Sequence, residues 1–147
     1  MLNAIINGIS KQLHSVMGDG YVIYKEDVKQ GLREPAFVIT HLISIDTAKL
    51  PNRYLRANSF NIYYFPKNTT NAKTEMYDVG EKLLAGMEYI TVKDEENLDN
   101  LCRGTKMRYE IVDDVLHFFV NYDFFVKKEP IKQEDMGELA VKSNVEA

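Results

Sequence analysis

Between Thr105 and Lys127 large apolar residues recur every second position, and the recurrence changes phase once, across Asp113-Asp114. Met107, Tyr109 and Ile111 occupy odd positions before the dipeptide; Leu116, Phe118, Val120, Tyr122, Phe124 and Val126 occupy even positions after it. A period of two describes a strand with one buried face, and aspartates tolerate the left-handed backbone of a two-residue turn. Residues 105–112 and 115–127 are therefore predicted to form an antiparallel hairpin. Counting outward from the turn sets Val112 opposite Val115, Ile111 opposite Leu116, Glu110 opposite His117 and Tyr109 opposite Phe118. Arg108 then faces Phe119, Met107 faces Val120 and Lys106 faces Asn121.

The two faces differ. Met107, Tyr109, Ile111, Leu116, Phe118, Val120 and Tyr122 must cover a core. The other face collects Lys106, Arg108, Glu110, His117, Phe119 and Asn121, with Phe125 further along. A carboxylate opposite an imidazole and a guanidinium over a ring suit a solvated surface, each contributing about 0.2–1 kcal/mol. Two phenylalanines in a polar frame with arginine also suit a protein interface. This face is either wet or covered by another chain, and Phe119 and Phe125 favour another chain.

The remaining segments supply the layer above the core face. Leu2, Ile5, Ile6, Ile9, Leu13, Val16 and Met17 are spaced for an amphipathic helix that Gly18 and Gly20 end. Tyr21–Lys25 is a short strand, followed by a polar connection over 26–35. Residues 36–46 read as a strand buried on both sides for part of its length. A loop is expected over 47–53, then a strand over 54–65, stopped by Pro66 and bulged at Asn58 and Ser59. After a polar loop, with Thr70 and Asn71 as candidate caps, a second helix carries the stripe Met76, Val79, Leu83, Met87 and Ile90. Gly80 lies beside that stripe at a cost of about 1 kcal/mol relative to alanine, which close approach to a sheet would explain. YITVK (89–93) is a short strand, and DEENLDN (94–100) an acidic loop. The predicted class is α+β, with two helices packed on one face of a mixed, largely antiparallel sheet that ends in the C-terminal hairpin. A chain of 147 residues buries roughly 70% of its unfolded surface on folding. Residues 1–127 are expected to be one domain and 128–147 a charged, loosely ordered tail.

Charge and motifs narrow the function. A net charge of −4 argues against specific nucleic-acid binding. No stretch approaches the ~20 apolar residues that span a bilayer, and the N-terminus lacks the pattern of a secretion signal. Cys102 is the only cysteine, so no intrachain disulfide is expected, which suits the cytoplasm. His14, His41 and His117 show no ligand spacing, so no metal or cofactor is expected. The best catalytic group is Glu110 with Asp113, Asp114 and His117, but cross-strand pairing and the turn already explain all four. Asp94-Glu95-Glu96 reads as a solvated loop. Arg53 and Arg56, three apart on an extended chain, point to opposite faces; an internal ion pair and a partner contact are both open to them. Gly31, Pro35, Pro66 and Gly104 look like positions that shape the backbone.

EDVKQGLREPAFVI (26–39), NRYLRANSFNIYYFP (52–66) and RGTKMRYEIVDDVLHFFVNYDFFV (103–126) resemble the tail terminator, or tail completion, proteins of long-tailed phages and defective prophages of Gram-positive bacteria. The resemblance runs over about residues 1–127. It implies a small, non-enzymatic structural protein that caps the finished tail tube, stops tube polymerisation and presents a docking surface to the head connector. It further implies a hexameric ring of identical subunits meeting the tail tube protein, the connector or neck proteins and, in a contractile tail, the sheath protein. DNA would pass through the ring without specific binding. The place of action would be the tail–neck junction of the virion, after assembly in the host cytoplasm. The residues expected at subunit or tube contacts are Arg53, Arg56, Arg103, Arg108, His117, Phe119, Asn121 and Phe125. Another neck or head-completion adaptor is the second reading, and a small enzyme using Glu110 and His117 the third.

Overall fold

A computed structural model describes residues 1–25, 31–67 and 70–129. The order is α1 (Leu2–Met17), β1 (Val22–Tyr24), β2 (Ala36–Leu50), β3 (Arg53–Phe65), α2 (Ala72–Gly86), β4 (Tyr89–Lys93), β5 (Asp99–Val112) and β6 (Val115–Lys127). The six strands form one sheet in the order β1-β2-β3-β6-β5-β4. Among the described residues only β1 and β2 run parallel; every other pair is antiparallel. The α+β class and the C-terminal hairpin are as the sequence predicts.

The alternating rows become the core. Leu116, Phe118, Val120 and Tyr122 of β6 are buried with Phe60, Ile62 and Tyr64 of β3 and Phe37 and Ile39 of β2. From above, α1 contributes Ile5, Ile9 and Leu13, and α2 contributes Met76, Val79 and Leu83. Burial of such side chains contributes about 1.5–3 kcal/mol each. Polar ends find partners at the edge of this layer: the Tyr122 hydroxyl donates to the Met87 carbonyl at 2.6 Å, and the Tyr64 hydroxyl donates to the Glu75 carboxylate. Ala36–Ile39 are buried on both sides of the sheet. Helix α2 comes close enough to the sheet that a Cβ on Gly80 would sit 2.8 Å from the Tyr109 ring, which accounts for the glycine. A Cβ on Gly8 of α1 would likewise lie 2.5 Å from the Thr91 carbonyl oxygen of β4.

Several boundaries differ from expectation. Residues 47–50 continue β2 instead of forming a loop, because Thr47 and Ala48 pair with Leu55 and Tyr54. Pro51-Asn52 makes the turn, with Asn52 at φ 66, a pairing of residue types that tight turns favour. No bulge falls at Asn58 or Ser59, which pair in unbroken register with Tyr122 and Asn121. The irregularity lies across from them on β2, between His41 and Ile43. Asn58 breaks the apolar alternation because it is a buried polar bridge: its Nδ2 donates to the Tyr122 carbonyl at 3.0 Å and its Oδ1 accepts from Ser44 at 2.7 Å. Ile90 belongs to β4, since α2 ends at Gly86. Asn71 occupies the N-cap of α2 without a side-chain cap bond. Strand β5 begins at Asp99, inside the expected acidic loop.

The hairpin turn is as predicted, with Asp113 at φ 50 and Asp114 at φ 61. Register holds from Val112↔Val115 to Arg108↔Phe119 and then slips, so that Thr105, not Lys106, pairs with Asn121. Lys106 takes a left-handed backbone, φ 52, and absorbs the extra residue of a bulge. Met107 loses its expected partner Val120 yet still packs on the core. Of the expected tail, Lys128 is tied down by the Asp46 carboxylate at 2.7 Å; residues 130–147 lie outside the described residues, as do 26–30 of the polar connection and 68–69 of the loop before α2.

Candidate assembly interface

Both helices pack on one face of the sheet, and among the described residues no helix lies on the other. That second face is built by three neighbouring strands. Strand β6 supplies His117, Phe119, Asn121, Asp123 and Phe125; β3 supplies Tyr63, Asn61, Ser59, Ala57 and Leu55 opposite them. Strand β5 adds Glu110 and Arg108 opposite His117 and Phe119. The register of the sheet therefore brings together five of the eight residues expected at subunit or tube contacts, with Glu110 beside them.

Their contacts form an aromatic and cationic stack. The Arg108 guanidinium lies 4.0 Å from the Phe119 ring centroid. Phe119 and His117 stack with centroids 6.3 Å apart, and Tyr63 meets His117 edge-on at 4.7 Å. The buried Asn61 side-chain amide meets His117 Nδ1 at 3.1 Å. Glu110 accepts from Arg108 at 3.3 Å. Beyond the stack Phe125 is 63% exposed. Asp123, half-buried between them, takes hydrogen bonds from the Asn58 backbone and the Thr105 hydroxyl, yet burial raises its pKa above the ordinary carboxylate value.

The other arginines are dispersed. Arg56 points to the helix side and grips Asp46 through two hydrogen bonds, at 2.7 and 3.0 Å. With Lys128 added, these bonds hold the Asp46 carboxyl well below the usual range. Arg56 thus takes the ion-pair alternative within the chain. Arg53 is exposed at the Pro51-Asn52 turn. Arg103 lies at the opposite edge, donating to Glu88 at 3.0 Å.

The sequence reading missed the far half of β2. Leu42, Ile43, Ile45 and Leu50 are 49–61% exposed, although they continue an apolar run whose first half is core. Length is the physical reason: β2 has 15 residues and β3 has 13, far beyond the usual five or six, so their ends outrun the helices. Asp94 organises its own loop, accepting from the Leu98 and Glu96 amides at 2.9 Å and from Asn100 at 3.0 Å. These bonds, that of Leu98 foremost, lower its pKa. Burial and nearby Asp123 push the Cys102 thiol up to about 12, the environment of an inert core thiol. Among the described residues no His, Cys, Asp and Glu side chains cluster as a metal site, and no helix is long and apolar enough to cross a membrane.

Fold and face together define a small α+β protein whose sheet is packed by helices on one side and presents aromatics, arginine and histidine on the other. The chain belongs to the phage tail terminator family: the family model described as phage tail terminator protein matches residues 4–134. No curated protein matches the chain. The family is a structural one, which makes this a protein of the phage tail.

Proposed function

We propose that the protein caps the completed tail tube, ends tube polymerisation and offers the docking surface for the head connector. The family match across both helices and all six strands is the observation that carries this reading. It acts as a closed ring of identical subunits, six in number to match a sixfold tube, at the tail–neck junction of the virion. Such a ring needs two unlike contact patches per chain, because a head-to-tail interface joins different surfaces and closes when its rotation does. The helix-free face with Arg108, His117, Phe119, Asn121 and Phe125 has the composition of one such contact. Arg53 and Arg103 extend contact to its margins, and Arg56 braces the arm that bears Arg53.

The remaining surface meets the tube protein, the connector or neck proteins and, in a contractile tail, the sheath. Residues 1–127 act as one domain. The work is mechanical and steric, with no catalytic step and no cofactor. A net charge of −4 lets DNA pass without being held. Assembly draws on chains in the host cytoplasm.

Deleting the gene and imaging the particles by electron microscopy tests the role. Overlong tails, or tails that fail to join heads, are expected. Tails of normal length joined to heads would overturn it. Co-purification with DNA-filled heads, and not with tail tubes, would transfer the chain to the neck-adaptor class.

A further inference from the structure

The sheet has two free edges that match each other. Strand β1 covers β2 only along Ala36–Val38, so residues 39–50 have no strand on that side among the described residues. Strand β4 covers β5 only along Asp99–Arg103, so residues 105–112 are likewise free. Unpaired edges normally carry lysine, proline or other devices against pairing. The β2 edge shows Ile43 and Ile45, about half exposed, with Lys49 at its far end; the β5 edge ends in the Lys106 bulge and carries Arg108 and Glu110 beside Val112, 44% exposed.

We infer that the free edge of β2 pairs with the free edge of β5 on a second copy of this chain, giving one sheet continuous from subunit to subunit. Direction permits it. Three antiparallel steps separate β2 from β5, so the two edges run oppositely and subunits related by a simple rotation meet as antiparallel strands. Length permits it too. Bulge-free backbone runs from Ile43 to Ala48 on β2 and from Arg108 to Val112 on β5, each bounded by register shifts or the turn. Placement is complementary: β1 blocks β2 at one end of the sheet, and β4 blocks β5 at the other. The free segment of one copy therefore enters a notch that the other leaves.

Register follows from the faces. Ile43, Ile45 and Thr47 share the helix-free face with Val112, Glu110 and Arg108. Ile43 then meets Val112, the apolar match, and Ile45 meets Glu110. The rows of Ile45 and Glu110 cross β6 at Asp123 and His117, so each copy steps along the strands by roughly 20 Å at about 3.4 Å per residue. A closed ring takes up such a step as strand tilt, as barrels do. The inference rests on the terminator role and names the surface that serves it.

The test places Ile45→Cys and Glu110→Cys in one chain and treats isolated tails with a short bis-maleimide. A ladder of covalent oligomers is expected from the double variant and only monomer from either single variant. Only monomer from the double variant in tails of normal length would overturn the edge pairing while leaving the terminator role intact. A dimer from Ile45→Cys alone would replace it with a symmetric β2–β2 contact. Should the cysteine chain not enter tails, Ile43→Lys with Ile45→Lys decides the matter. Both sites are half exposed, so circular dichroism of the purified chain should be unchanged while tail-length control fails; retained control in a folded variant would sink the proposal.

Discussion

Arg108 lies over Phe119 from the neighbouring strand, guanidinium carbon 4.0 Å from the ring centroid, on the face of the sheet opposite α1 and α2. The pair is held without help from the core, whose row on β6 is Leu116, Phe118, Val120 and Tyr122. An exposed pair of this kind contributes about 0.5–1 kcal/mol. Phe119→Glu should therefore lower stability only slightly, with an unchanged circular dichroism spectrum, while tails made with it lose length control. If length and head joining are both normal with the variant, this face touches no partner.

Gly80 makes the opposite kind of site, where chain packing decides everything. Alanine would gain about 1 kcal/mol of helix propensity, but its Cβ would lie 2.8 Å from the Tyr109 ring. Overpacking a fitted contact costs about 1–3 kcal/mol, so Gly80→Ala should lower stability by about 1 kcal/mol in a urea titration. In a Tyr109→Ala background the same change should raise it. A stabilising Gly80→Ala in the parent chain would mean that the ring gives way freely.

Gly80 was legible because a poor helix former beside an apolar stripe demands a neighbour, and Asp113-Asp114 because few residue pairs turn a hairpin. The Lys106 bulge was not, since Met107 returns to the core and preserves the apolar parity on which register was counted. Asn58 misled for a related reason. Its polarity reads as broken alternation, whereas the structure buries it as a bridge between Ser44 and the Tyr122 backbone. The row His117, Phe119, Asn121 and Phe125 could be read as one face, because strand parity needs no tertiary information. The open edge of β2 could not, because it depends on β1 stopping at Tyr24 and on where the helices end.

The turn itself has stability in reserve. Asp113 and Asp114 both hold positive φ, a conformation that costs most non-glycine residues about 1–2 kcal/mol, less for aspartate. Asn-Gly is the preferred pair for this turn. Asp113→Asn with Asp114→Gly should raise stability by about 1 kcal/mol, or the melting temperature by about 2–4 °C for a chain of this size. Chemical shifts across β5 and β6 should change only near the turn. A fall in melting temperature would show that the carboxylates serve the native state in some other way.

Asp123 links the helix-free face to pH. Burial raises its pKa, against the Asn58 amide, the Lys106 charge and the Thr105 hydroxyl, which favour the ionised form. One carboxylate oxygen, Oδ1, is buried without a partner among the described residues. A carboxyl whose pKa is higher folded than unfolded binds its proton more tightly in the native state. Its contribution is therefore most favourable in acid, below the unfolded value, and turns unfavourable as pH rises through the folded value. Asp123→Asn keeps an oxygen for the Asn58 and Thr105 donors and removes the charge. Urea midpoints should show the variant more stable than the parent at pH 7, with the difference closing as pH falls below the ordinary carboxylate range. A less stable variant at pH 7 would mean that Lys106 and the two donors outweigh the cost of burial.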